Sequence, residues 1–211
     1  MESEYEDFLE LQRARRSVNY FDSEKEVDDK LLKKIIDRAV LAPSSFNLQP
    51  WRILAVKSQE KREEIYNRGV CEQEKVIQAP VLLIILGDSR GFMRDNPMWD
   101  EKKSLDKLDE EQVQNIVELC EENIYPGREE EVGFAVRNSS LLAMSIMYTA
   151  KYFGVDTHPM IGFSADGIKN MFNLSNEMIV TMLISLGYFD ANEELSPRET
   201  RLKYEDIVTE Y

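Results

Sequence analysis

The run Val81-Leu82-Leu83-Ile84-Ile85-Leu86, bounded by Pro80 and Gly87, constrains the fold more than any other segment. Six aliphatic residues without polar alternation read as a strand buried on both faces, and six are far too few to span a bilayer. Ile179–Leu186, with Gly187 at its end, reads as a second buried strand. Before the first lies an amphipathic helix in which Leu31, Leu32, Ile35, Ile36, Ala39 and Val40 recur at helical spacing. Asp28 and Asp29 favour its N-terminus and Pro43 ends it. A first helix is expected over Tyr5–Ala14, a short strand over Ile53–Lys57 and an exposed helix over Gln59–Arg68. Asp100–Ile124 reads as an acidic, mostly helical excursion. Phe134–Phe153 reads as a long helix, apolar around much of its circumference and suited to a subunit interface. Gly154 closes that helix; a strand near Met160 and a brief helix over Ala165–Phe172 follow. The tail from Asp190 to Tyr211 has no core of its own, so it frays or wraps onto a partner. No repeat or linker interrupts residues 1–211, which are expected to form one domain. Helices and strands alternate without a glycine-rich phosphate loop, which argues against a Rossmann dinucleotide fold.

Charge and cysteine content narrow the function classes. The formal net charge of −14 disfavours general binding to nucleic acid or to an anionic membrane, since both need basic surface. The acidic runs Asp109-Glu110-Glu111 and Glu129-Glu130-Glu131 read as solvated helical surface. Two cysteines, Cys71 and Cys120, make no disulfide framework and are expected to be reduced structural thiols. The acidic start Met1-Glu2-Ser3-Glu4 has no targeting character, so a cytoplasmic location is expected. His158 is the only histidine, which leaves no hydrolytic triad and no metal-ligand spacing, and it is expected to be structural. Chemistry beyond these side chains would come from a cofactor.

Two short segments carry that possibility. In Ala42-Pro43-Ser44-Ser45-Phe46-Asn47-Leu48-Gln49-Pro50-Trp51, hydroxyls and carboxamides that both donate and accept suit a polar heterocycle. Arg15-Arg16-Ser17-Val18-Asn19-Tyr20-Phe21 offers guanidinium forks and a hydroxyl suited to a phosphate. Each has a plainer reading: arginines paired with the abundant carboxylates, and a capped loop packed under Trp51, itself expected in the core or an interface.

Together, and in this order, the two segments resemble the paired signatures of the FMN-dependent nitroreductase family. Glu72-Gln73-Glu74-Lys75-Val76 is similar to that family's stretch before the central strand, and Phe153-Gly154-Val155-Asp156 to the close of its central helix. Pro159-Met160-Ile161-Gly162-Phe163 resembles its flavin-edge segment; Leu186-Gly187-Tyr188, Pro197-Arg198-Glu199-Thr200-Arg201 and Glu205-Asp206-Ile207-Val208 resemble its ending. The resemblance implies an α+β fold with a mainly antiparallel sheet flanked by helices. It also implies an interlocked homodimer in which the tail from about residue 190 to 211 reaches the neighbouring subunit and FMN lies at the interface. Arg15, Arg16, Ser17 and Arg201 would hold phosphate and ribityl oxygens, with Asn19 beside them. Lys75 would approach the pyrimidine edge behind Glu72, and Pro159, Met160, Ile161 and Gly162 would line the ring near N5. Pro43, Ser44, Ser45 and Asn47 would come from the other subunit.

The implied activity is hydride transfer from NADH or NADPH to flavin N5 and on to nitroaromatics, quinones or similar small acceptors, in ping-pong order and with no obligatory acid–base residue. Asn19 stands where the family often has a cation, Glu72 where Asn is common, Ile161 where an acid is frequent, and Phe46 where a small residue is usual. The first two keep a second reading open, a module that senses, stores or delivers flavin without turnover. A third is a helical interaction protein with no cofactor.

Overall fold

The computed structural model describes residues 7–106 and 108–211; the part of the expected first helix before Asp7 lies outside them. Helices α1 (Phe8–Ala14) and α2 (Asp29–Ala39) precede strand β1 (Trp51–Val56). Helix α3 (Gln59–Asn67) and the single turn α4 (Lys75–Gln78) lead into β2 (Val81–Asp88). Helices α5 (Met98–Asp106), α6 (Glu110–Leu119) and α7 (Arg128–Tyr152) follow, then β3 (Asp156–Met160), α8 (Ala165–Phe172), β4 (Met178–Gly187) and the single turn α9 (Tyr204–Ile207). The strands pair antiparallel throughout in the order β1-β2-β4-β3. The fold is therefore α+β with an antiparallel sheet, as the sequence implied.

Side-chain alternation along β2 builds two cores at once. Val81, Leu83 and Ile85 point to a layer formed with Leu31, Leu32 and Ile35 of α2 and Leu142, Ala143 and Ile146 of α7. Leu82, Ile84 and Leu86 point the other way, to Ile65 of α3, Val76 of α4 and Ile168 of α8. All six are at most 1% exposed, and burial of each such side chain contributes roughly 1.5–3 kcal/mol. On β4 the register shifts opposite Ile85 and Leu86, whose partners are Met182 and Val180, leaving Thr181 as the extra residue of a bulge. Its hydroxyl lies 2.7 Å from Ser139 Oγ of α7. Helix α7 sits so close to the sheet that a Cβ on Gly87 would fall 2.5 Å from the Ala135 carbonyl oxygen.

Helix ends account for most differences from the sequence reading. Asp28 caps α2 through Oδ1, which accepts from Leu31 N at 2.8 Å; a cap of this kind is worth about 1 kcal/mol. Helix α7 begins at Arg128 rather than near Phe134, because Glu129, Glu130 and Glu131 fill its first turn, where the helix dipole favours acids. Strand β1 starts two residues before the expected Ile53 because Trp51 and Arg52 already pair with Gly87 and Leu86. The acidic excursion is helical as expected, ends in a π turn at Cys120–Ile124, and has its own core of Leu48, Phe92, Trp99, Val113, Val117, Cys120, Tyr125 and Phe134. An ion-pair network ties Arg94 and Lys103 to Asp100 and Glu110 across it, and Arg94 and Lys103 together hold the Glu110 carboxyl down at about 2. Cys71 and Cys120 are buried and unbridged, and Trp51 is in the core.

Candidate functional site

The sheet edge assembles a cationic half-site from four stretches far apart in sequence. Residues 15–18 run beside β3: Ser17 bridges Thr157, Val18 N donates to the Thr157 carbonyl at 3.2 Å, and the His158 ring is 2.8 Å from the Val18 carbonyl through Nδ1. A carbonyl only accepts, so Nδ1 carries the proton. Burial, and secondarily Lys75, lower the His158 pKa, so the ring is neutral at pH 7. It is a structural histidine, as the sequence implied.

Behind this segment the tail returns. Arg16 Nη2 donates to the Ser196 carbonyl at 2.7 Å, and Arg198 Nη2 donates to the carbonyls of Arg13 and Arg15. The start of the tail, expected to fray or wrap onto a partner, is thus tied to its own chain. Beyond it, Leu202, Tyr204 and Ile207 are exposed. Arg201 turns its guanidinium onto its own neighbours, Nη1 donating to the Glu199 and Thr200 carbonyls at 3.0 Å. Burial and then the like charges of Arg198, Arg201 and Arg16 lower the Arg15 pKa. Among the described residues no carboxylate forms an ion pair with any of these four arginines. The plainer reading of Arg15 and Arg16 as a salt-bridged surface pair therefore does not hold. Four guanidiniums gathered without a counter-ion form a ready anion site.

Next to it, Lys75 is half-buried at the start of α4, with a pKa lowered by burial. Its carbonyl accepts from Ser185 Oγ of β4 at 2.9 Å, which sets α4 against the sheet. The segment after β3 lies alongside: Ser164 N donates to the Val70 carbonyl at 2.7 Å, and the Gly162 carbonyl faces Cys71 and Gln73. Ile161 is 79% exposed, whereas the Met160 side chain is buried in the core, so Met160 can offer a ligand only its main chain. Pro159 pairs with Ile184, and Glu72 and Asn19 are exposed. Gln73 and Arg198, absent from the expected site, belong to it by contact; both lie inside stretches the sequence singled out.

The second half-site is one continuous loop. Phe46, Asn47 and Gln49 have φ between 50° and 53°, a left-handed conformation that costs non-glycine residues of order 1–3 kcal/mol each. Neighbours hold it on both sides. Ser45 N donates to Asn138 Oδ1 of α7 at 2.8 Å, Gln49 N to Ser44 Oγ at 3.0 Å, and Asn96 Nδ2 to the Leu48 carbonyl at 2.9 Å. Phe46 rests against Trp99 of α5 with ring centroids 6.2 Å apart. Pro43, Phe46 and Asn47 are exposed, Ser44 and Ser45 half-buried.

The two halves do not meet within the chain: among the described residues no hydrogen bond or ion pair joins residues 43–49 to Arg15–Asn19, Lys75 or Met160–Gly162. One chain encloses only about 30 Å³ beside Arg16, Ser17 and Asn19. Larger hollows lie elsewhere, among them about 470 Å³ between α1, α2 and α7, about 730 Å³ beside Arg62 and about 550 Å³ beside Arg94. Among the described residues no cluster of His, Cys, Asp or Glu is arranged to hold a metal, and no helix is long and apolar enough to cross a membrane.

Known proteins are similar to this chain in sequence and fold. MhqN of Bacillus subtilis, provisionally named an NAD(P)H nitroreductase, is 31% identical over 204 residues, which cover 96% of this chain and 98% of that protein. The crystal structure of ydfN from Bacillus subtilis, provisionally a nitroreductase, superimposes with a TM-score of 0.87 at 29% identity, over 97% of this chain and 98% of that one. A provisionally assigned nitroreductase of Exiguobacterium sibiricum, solved in complex with FMN, superimposes with a TM-score of 0.84 at 26% identity, over 99% of both chains. The description of the nitroreductase family matches residues 13–188, and the chain belongs to that family.

Proposed function

We propose that this protein is an FMN-dependent NAD(P)H oxidoreductase acting on nitroaromatics, quinones or similar small acceptors, as a homodimer of single-domain chains. The observation that carries the reading is the group of four arginines that have no carboxylate partner among the described residues, beside a half-buried lysine and an exposed main-chain edge. That donor set fits FMN: fixed cations for a phosphate, one movable cation for the electron-rich edge of a ring, and peptide groups for the rest. The names of MhqN and of the Exiguobacterium complex point the same way.

In this reading Arg15, Arg16, Ser17 and Arg201 hold the phosphate and ribityl oxygens, Arg201 giving up its two carbonyl partners to do so, with Asn19 at the margin. Lys75 places its charge at the pyrimidine edge, where negative charge accumulates on reduction, and Glu72 flanks it. Pro159, Met160, Ile161 and Gly162 present main chain and the Ile161 side chain to the N5 side. Pro43, Ser44, Ser45 and Asn47 of a second copy close the far face, which gives the separated half-sites their complement. When bound, FMN would supply two-electron redox chemistry between NADH or NADPH and the acceptor, in ping-pong order. The chain itself supplies position and charge rather than acid–base groups. Two buried, unbridged cysteines accord with the reducing cytoplasm.

The test is an anaerobic titration of FMN-loaded protein with NADH and then NADPH, followed at the flavin band near ~450 nm. Bleaching by either nucleotide is the expected result and chooses the donor. A bound flavin that neither bleaches makes the protein a flavin-binding module, and failure to bind FMN removes the reading altogether.

A further inference from the structure

One carboxamide spans the gap between the cation and the main-chain edge of the cationic half-site. Gln73 Nε2 donates to the Gly162 carbonyl at 3.4 Å, and Gln73 Oε1 accepts from Lys75 Nζ at 3.3 Å. The orientation of this amide is imposed from both ends, because a carbonyl only accepts and an ammonium only donates. We propose that Gln73 is a positioning residue that couples the Lys75 ammonium to the Ile161–Gly162 main chain, so that cation and peptide edge meet a flavin as one unit. The proposal rests on the FMN reading above.

Other contacts hold the backbones here, but not the head of Lys75. Ser164 N on the Val70 carbonyl, Cys71 Sγ at 3.6 Å from the Gly162 carbonyl and Ser185 Oγ on the Lys75 carbonyl fix the main chain on either side. Among the described residues Gln73 is the only hydrogen-bond partner of Lys75 Nζ, and no carboxylate forms an ion pair with it. A half-buried ammonium with one acceptor takes its position from that acceptor. The flanking positions sharpen the point: Glu72 and Glu74 are carboxylates turned to solvent, while the residue between them, which reaches Lys75, is neutral. A carboxylate at 73 would still accept from Lys75, but would cancel its charge and could not donate to Gly162.

Two substitutions separate these roles. Gln73→Met keeps length and removes both hydrogen bonds; Gln73→Glu keeps the acceptor, adds a charge and removes the donor. The first readout is an NMR titration of the Lys75 side chain in flavin-free protein. The expected result is a lower Lys75 pKa in Gln73→Met, where the acceptor is lost, and a higher one in Gln73→Glu, where a carboxylate replaces it. The second readout is the ratio of reduced- to oxidised-FMN affinity in loaded protein, expected to fall in both variants, by about tenfold in Gln73→Glu. A general loosening would move Lys75 in the same direction in both variants, so shifts of one sign, or none, overturn the coupling. Opposite shifts with an unchanged affinity ratio overturn its extension to the flavin. If Gln73→Met does not fold, the sign in Gln73→Glu alone decides. Wild-type protein that takes up no FMN overturns the functional reading and the flavin arm with it, while the Lys75 titration still judges the Gln73 contact.

Discussion

The two half-sites are built in opposite ways. The 43–50 loop is a single stretch of chain, held in an uphill conformation by Asn138 on one side and by Asn96 and Trp99 on the other. The cationic half is unstrained at each point but composite: residues 15–19, 73–75, 159–162 and 196–201 arrive from four places, and β3 and β4 bring them together. Its cost is electrostatic, the burial of the Arg15 charge and then the repulsion of its neighbouring arginines, where the loop's is conformational. A strained loop depends on its buttress, and a charged cradle depends on its anion. The two should therefore fail under different insults.

Removing the buttress should have the largest effect. Trp99→Ala empties the centre of the excursion core and should destabilise the protein by about 3–5 kcal/mol in denaturant unfolding. Hydrogen exchange should quicken at residues 43–50 by more than the rise that the lost global stability gives β2 and β4. A loop that exchanges as slowly as before would show that Trp99 does not hold it.

The converse experiment strips the cradle. Arg16→Ala combined with Arg201→Ala should leave unfolding nearly unchanged, since Arg201 is exposed, Arg16 only half-buried, and neither pairs with a carboxylate among the described residues. It should weaken FMN binding by about tenfold or more, as charge-assisted hydrogen bonds are each worth ~1.5–3 kcal/mol. Full flavin occupancy in the double variant would move the phosphate away from these arginines.

The smallest effect concerns His158, whose pKa burial lowers on folding. The unfolded chain then holds the extra proton at mildly acidic pH, so stability rises with pH across the window from the lowered folded value up to about 6.5. His158→Asn, which can keep a donor to the Val18 carbonyl, should flatten that slope without changing stability at pH 8. A slope that survives the substitution would assign it to other groups.

The same contrast decides what was legible in the sequence. The loop could be read because its residues are adjacent, and the buried strands because apolar runs need no partner to be recognised. The cradle was only partly legible. Arg198 lies within a recognisable motif, but its hydrogen bonds to Arg13 and Arg15 span more than 180 residues, a distance no local pattern encodes. Asn138 is hidden inside a long helix, where the polar Asn-Ser-Ser run in an otherwise apolar segment is the one local signal of its hydrogen bond to Ser45. The sequence shows where Met160 lies along the chain but not that its side chain enters the core, because strand parity near a sheet edge fixes which way it points.

Parity also governs β4, where Thr181 does more than reach Ser139. Met182 and Ile184 lie on the α2–α7 side of the sheet, yet Val180 and Met178, also even-numbered, lie on the opposite side. The bulge acts as a frame shift in the reading of the strand, resetting odd and even halfway along. Deleting Thr181 would leave Val180 opposite Leu86 and Met182 opposite Ile85, each on its present face, and would cost the strand its local bend and the hydroxyl on Ser139. In this strand the number of residues carries information that their identities do not.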